Sequence, residues 1–503
     1  MRFTTITALG LARLAWGDST QHADPTAQTS SGLISGQRAA AAPKVMEYLG
    51  IPFAKPPLDQ LRFAPPEPFT SDSSINATSF GYSCPISSTA TDLLLPRPDP
   101  RINFTAAGTQ MFTILSQSGD RFSEDCLTLN IWTKAQQSEE KKAVMVYFYG
   151  GGFVIGNSDA PTYNGAHFVD QEDVVMVTIN YRLNIFGYPG HPGAANLGLL
   201  DQRLAVEWVR DNIAAFGGDS SRITIFGESA GGASVDVYSY AWPSDPIVSG
   251  LIAQSGTVIP PSNASTAAAL WSRAATALGC SSTSNTTAEL ACMRKQPASA
   301  LSEVISKLPN FTPYADNRTV PTDYASRSAA GNFAKVPLLI GHNDNEASML
   351  AIVSLLKTNT TLPDAFWHTY NLDLFFCPVA RRAAVSSSHN LPVWRYRYFG
   401  DFPNLRVSAD LEMGSSHGAE LFVLFDNMPA GVGIPASTDE QVEFGRYMRR
   451  AWAAFARDPQ GGLEREMRWP RYRPEEATLV RLGLGNRVGL NLGVPEDYDG
   501  ECD

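Results

Sequence analysis

Apolar residues run almost unbroken over Ala143–Tyr149 and again over Val174–Asn180, as in parallel strands buried on both faces. Leu127–Trp132 before them, and Ile223–Phe226, Leu251–Gln254 and Val336–Ile340 after them, are shorter runs of the same kind. In between, Leu200, Leu204, Trp208 and Ile213 recur at helical spacing, and Gly217-Gly218 ends that stretch. This alternation predicts an α/β fold around a doubly wound, mostly parallel sheet. Late in the chain, Glu440–Arg457 reads as an amphipathic helix that turns Val442, Tyr447, Met448, Ala451, Trp452 and Phe455 towards a core.

Other stretches are less regular. Tyr48–Ala54 and Leu61–Pro66 read as short strands and extended loop, rich in Pro and Gly. The segment from Cys84 to Cys126 has no clear period, which predicts a large surface loop with some helix. Residues 260–335 are rich in Ser, Thr and Ala and patchily helical, and predict a helical cap inserted into one domain rather than a second domain.

Composition narrows the class. With 503 residues and 44 % hydrophobic positions, the chain can bury a deep core. No run approaches 18 apolar residues, so no membrane span is expected. A net charge of −11 argues against nucleic acid or an anionic membrane as a partner. Arg2, the apolar stretch Phe3–Leu14 and Ala15-Trp16-Gly17 resemble a secretory signal over residues 1–17, leaving 18–503 as a single domain with insertions at about 84–126 and 260–335. The six cysteines are an even set. Glycosylation sequons begin at Asn76, Asn103, Asn263, Asn285, Asn310, Asn317 and Asn359, where ordinary composition supplies on the order of two or three. Together these features predict an exported, glycosylated protein.

The chemistry gathers at Gly227-Glu228-Ser229-Ala230-Gly231-Gly232, directly after the strand-like Arg222–Phe226. A serine between glycines at a strand-to-helix turn is a nucleophile elbow, with Ser229 clear of the sheet edge. Acyl transfer then needs a base, an acid to orient it and donors for the oxyanion, in the chain order nucleophile, acid, histidine. His22, His167 and His191 precede the serine. Of the four that follow, His342, His368, His389 and His417, the last lies among small residues that let a loop carry an imidazole into a site. His368 sits in a helix-like stretch and His389 in a Ser-rich run expected to be solvated. Asp344 and Glu346, on the loop after Val336–Ile340, are equal candidates for the acid. Gly150-Gly151-Gly152 after Ala143–Tyr149, with the N–H of Ala230, can form an oxyanion hole.

These segments, with Tyr48–Ala54, Ser123–Ile131, Asn180-Tyr181-Arg182 and Gly198–Gln202, resemble the type-B carboxylesterases, the family of cholinesterases, secreted lipases and broad carboxylesterases. The resemblance covers about residues 30 to 500. It implies an α/β-hydrolase fold and a small-molecule ester substrate, with no metal and no cofactor. It also implies Ser229 as nucleophile, Glu346 as acid and His417 as base, with Gly151, Gly152 and Ala230 as oxyanion donors and Ser255 and Glu228 in support. Disulfides Cys84–Cys126, Cys280–Cys292 and Cys377–Cys502 follow from the same likeness. The Cys84–Cys126 loop is expected to cover part of the site, as a moving lid or as a static rim.

Two departures bear on substrate. Tyr149 stands where many lipases of this type have His, and no Trp lies between Cys84 and Cys126, where cholinesterases keep a choline-binding indole. Uncharged esters of short to medium acids are therefore expected. A lipase, a transacylase, or a hydrolase dedicated to one secondary metabolite would use the same triad. Silent adhesion relatives typically lose a triad residue, and this chain keeps all three. The oligomeric state is left open.

Overall fold

The computed structural model describes residues 25–99, 101–135, 140–257, 262–282 and 285–502. The signal expected over residues 1–17 lies outside them. A small sheet joins β1 (Thr26–Thr29), β2 (Gly32–Ser35) and β5 (Ser74–Asn76). Among the described residues, the main sheet has eleven strands. It opens with β3 (Gln37–Ala39), β4 (Ala42–Pro52), β6 (Thr128–Lys134), β7 (Lys142–Phe148) and β8 (Val174–Ile179). It continues with β9 (Gly218–Glu228), β10 (Gly250–Gln254), β11 (Leu338–Asn343), β12 (Val393–Tyr398), β13 (Leu479–Leu482) and β14 (Leu492–Gly493).

In space the order is β14-β13-β12-β11-β10-β9-β7-β8-β6-β4-β3. Every neighbouring pair from β13 to β8 is parallel, and β6, β4, β3 and β14 pair antiparallel at the two edges. The unbroken apolar run of β7 has a simple cause. Val144, Val146 and Phe148 pack into the core on one face, and Met145 and Tyr147 into the core on the other. A strand covered by helices on both faces has no solvent side to mark with polar residues.

The chain after β7 moves to β8 on one side, while β9, β10 and β11 build outward on the other. The carboxyl ends of β7 and β9 therefore flank a switch point of the winding, where doubly wound sheets leave a crevice. The helix Ala230–Ala241 leaves β9 directly from that crevice.

The Cys84–Cys126 segment contains two helices, Ala90–Leu94 and Ala106–Leu115. Leu94, Met111 and Phe112 are buried in the main core. Backbone bonds Thr105 N–H to Val407 O (3.0 Å) and Ala409 N–H to Asn103 O (2.9 Å) stitch the segment to the chain before the His417 loop. Residues 260–335 contribute helices Ala264–Ala277, Thr286–Arg294, Ala298–Ile305 and Tyr324–Ala330. Their Trp271, Met293 and Leu301 pack into the same core as the sheet.

Several local readings shift. Leu61–Pro66 is no strand: Phe63 has φ +56°, and Arg62 is held there by Glu124. β12 and β13 escape a hydrophobic pattern because they carry Arg395, Arg397 and Arg481. Arg395 is buried, with its guanidinium bonded to Asp499 (2.6 Å), and Arg397 bonds Asp344 (2.7 Å). A buried charge is tolerated where it is paired and hydrogen-bonded. The late helix, Asp439–Arg457, buries Phe444, Met448, Ala451, Trp452 and Phe455, whereas Val442 and Tyr447 stay half-buried at its edge. His389, expected in solvent, is half-buried: Nε2 lies 2.9 Å from Ser328 O and its ring meets Phe333.

Candidate active site

Ser229 occupies the turn between β9 and the helix Ala230–Ala241 with φ +58° and ψ −121°. A non-glycine residue there is strained, and the neighbouring backbone holds it in place. Its N–H donates to Gln254 O (2.9 Å) at the end of β10. The flanking glycines are required by close approach. A Cβ on Gly231 would sit 1.9 Å from Phe148 O, and one on Gly227 would sit 2.6 Å from the same oxygen.

The turn after β7 lies against this elbow. A Cβ on Gly150 would be 3.0 Å from the Ser229 Cβ and 2.8 Å from Oε2 of Glu228. Gly151 and Gly152 both have positive φ, +99° and +63°. Gly151 turns its carbonyl back to accept from the N–H groups of Val154 and Ile155 (3.1 Å each). Successive amides in such a turn face outward and form a concavity for negative charge. Tyr149, just before them, points away into the core. It stacks on Tyr181 at 4.3 Å, and each hydroxyl bonds the other residue's carbonyl.

The candidate acid and base come from two loops laced together. Asn345 N–H donates to Ser415 O (3.2 Å), Asn345 Nδ2 to Met413 O (2.9 Å) and Asp344 N–H to the Ser415 hydroxyl (3.1 Å). Glu346, fully buried, places Oε2 2.6 Å from Nδ1 of His417. Its Oε1 accepts the N–H of Asn343 (2.7 Å). Asp344 turns out to Arg397, so the two acids that local spacing left equal, and between which the family likeness chose Glu346, face different partners.

Nε2 of His417 lies 3.1 Å from Oε1 of Glu228. No hydrogen bond joins it to the Ser229 hydroxyl in this structure; catalytic hydrogen bonds often form only around bound substrate. Burial pushes the Glu228 carboxyl up, and the His417 charge pulls it back. Burial would lower His417, but the carboxylates of Glu228 and Glu346 outweigh it and hold the imidazole above its ordinary value. Two groups this close titrate as a pair.

Two further residues had no motif to flag them. Asn343 Nδ2 bonds both Ser416 O (2.7 Å) and Glu420 Oε2 (2.6 Å), tying the acid loop to the histidine loop. Glu420 is also buried, its Oε1 accepting from Gln254 (3.2 Å), whose own oxygen accepts from Trp452. Burial and the charge of Glu346 push its carboxyl up. The available signal was only adjacency, since Asn343 sits in the acid loop and Glu420 three residues after His417. Ser255, expected to support the Glu–His pair, leaves its buried hydroxyl without a hydrogen-bond partner among the described residues. The N–H of Asn343 bonds Oε1 of Glu346.

The other histidines that follow the serine stand apart. His368 is exposed and pairs with Glu501 (2.9 Å), and His342 is buried with its ring stacked on Phe376 (4.5 Å). All six cysteines are joined as expected, Cys84–Cys126, Cys280–Cys292 and Cys377–Cys502. No group of three or more potential metal ligands occurs among the described residues.

The sequence model described as "Carboxylesterase family" matches residues 23–371 and 357–496. The chain belongs to the carboxylesterase family. It has the α/β-hydrolase fold and is a carboxylic-ester hydrolase. It is 36 % identical to a chlorogenic acid esterase of Aspergillus niger, across 94 % of this chain and 93 % of that protein. Identity to secreted lipase 5 of Gibberella zeae is 34 %, over the same shares of the two chains. Identity to an acetylcholinesterase of Bungarus fasciatus is 30 %, over 87 % of this carboxylesterase and 79 % of the relative.

Proposed function

We propose that this carboxylesterase is secreted and cleaves uncharged esters of short to medium acids with Ser229, His417 and Glu346. His417 takes the Ser229 proton as the hydroxyl oxygen attacks the ester carbonyl. Glu346 holds Nδ1–H of the ring, fixes its tautomer and stabilises the imidazolium that forms. The N–H groups of Gly151, Gly152 and Ala230 receive the oxyanion. The alcohol departs with the proton from His417, and water, activated by the same base, then releases the acid from Ser229.

The observation that carries this reading is the 2.6 Å contact of Glu346 with His417, on loops that meet the strained Ser229 elbow. Export is supported by three disulfides and by the exposure of all seven sequon asparagines. The deciding experiment is Ser229→Ala in secreted protein. Hydrolysis of a p-nitrophenyl ester and labelling by a fluorophosphonate should both vanish while the circular dichroism spectrum is kept. Retained turnover would assign the chemistry to another nucleophile.

A further inference from the structure

The helix Asp364–Asn371 carries Phe366, Trp367 and Tyr370, and it buries none of its residues fully. The three rings touch: centroids are 5.0 Å apart for Phe366 and Trp367 and 5.5 Å for Trp367 and Tyr370. The series continues inward. Tyr370 lies 6.3 Å from Phe375, and Phe375 lies 5.1 Å from the imidazole of His417. Exposure falls along the row, from 45 % at Phe366 to 6 % at Phe375.

The row is held in register with the catalytic loops. Oδ1 of Asn371 accepts the N–H of Ala347 (2.8 Å), in the first turn of the helix that begins with Glu346. A π-helical turn, Leu372–Phe376, then sets Phe375 against His417 and Phe376 against His342. Such turns insert one residue into a helix and re-aim the side chains that follow.

A contiguous exposed apolar patch, unlike single exposed side chains, marks an interaction site. Here the rings form a line that starts in solvent and ends on the catalytic imidazole. Ring faces and edges select other flat rings by quadrupole geometry as well as by area, which an alkyl chain cannot match. We propose that Phe366, Trp367, Tyr370 and Phe375 form a binding face for esters that carry a planar aromatic ring, leading that arm of the substrate to His417. This rests on the Ser229–His417 reading above.

The test uses the double variant Trp367→Leu, Tyr370→Leu, which keeps apolar bulk on a half-exposed helix and removes two rings. Two matched ester pairs are compared, methyl 3-phenylpropanoate against methyl hexanoate and phenethyl acetate against hexyl acetate. In at least one pair the aromatic member should lose about two- to twelvefold in kcat/KM, carried by KM, with its aliphatic partner unchanged. The affected pair identifies the acyl or the alcohol arm. Tyr370→Phe alone, which keeps the ring, should retain the wild-type preference. Equal loss on both members of each pair, or no loss on either, overturns the aromatic face. So does conversion of a wild-type dimer to monomer with selectivity unchanged, which would assign the face to a second copy. If the wild-type enzyme turns over none of the four esters and takes no fluorophosphonate, the Ser229 reading itself fails.

Discussion

Nε2 of His417 lies 3.1 Å from Oε1 of Glu228, the residue that directly precedes the proposed nucleophile. A carboxylate there favours the imidazolium, and general-base catalysis needs the neutral ring. The acidic limb of kcat/KM against pH should therefore lie above the ordinary histidine value. Glu228→Gln removes one of the three carboxylates, Glu228, Glu346 and Glu420, that raise His417, so that limb should move to lower pH. An unmoved limb would show that Glu228 does not act on the base.

Glu346 and Asp344 should separate cleanly. Glu346→Gln leaves Nδ1 of His417 without its acceptor anion and should lower kcat by about 10⁴-fold, as loss of the orienting acid does in other triads. Asp344→Asn breaks a partly exposed pair with Arg397, worth about 1 kcal/mol or less in stability, and should leave kcat near wild type. Steady-state kinetics on one p-nitrophenyl ester distinguishes them, and the reverse ranking would exchange their roles.

The disulfide Cys84–Cys126 spans 42 residues, and closing such a loop removes about 4 kcal/mol of unfolded-chain entropy. Peptide mapping without reduction should recover all three pairs, and the double serine variant at 84 and 126 should shift the urea midpoint downward. Free thiols in the mature secreted protein would refute the pairing.

No indole is present between Cys84 and Cys126 to meet a quaternary ammonium. Cation–π contact with Trp is worth roughly 0.5 to 2 kcal/mol, so its loss corresponds to up to about thirtyfold in discrimination. Butyrylcholine should accordingly have a lower kcat/KM than an uncharged butyrate ester of similar size and leaving-group pKa. The opposite order would require another aromatic face for the cation.

The same segment should behave as a fixed rim. Its Leu94, Met111 and Phe112 are already buried, and a Cβ on Gly108 would lie 2.1 Å from Val407 O. Rates should rise hyperbolically straight through the solubility limit of the substrate. A jump at that limit would indicate a lid that opens at an interface.

Much of this was legible in the chain itself. Strands buried on both faces declare themselves by unbroken apolar runs, and the elbow by glycines whose hydrogen atoms alone fit against Phe148 O. These are local rules, imposed by backbone geometry and by the period of each element. β12 broke them because Arg395 and Arg397 are neutralised by Asp499 and Asp344, and β13 because Arg481 bonds Asn491 and Tyr498, partners that no periodicity records.

The elbow, the triad candidates and the alternating strands were determined by the sequence alone. Local spacing left Asp344 and Glu346 equal and only the family likeness chose Glu346; in three dimensions Asp344 bonds Arg397 and Glu346 faces His417. Tertiary packing likewise buried Tyr149 against Tyr181, set the N–H of Asn343 on the Glu346 carboxylate, and brought Phe375 against the His417 ring. The reason is range: turn and strand preferences act within a few residues, whereas partner choice among buried polar groups depends on which loops the sheet brings together.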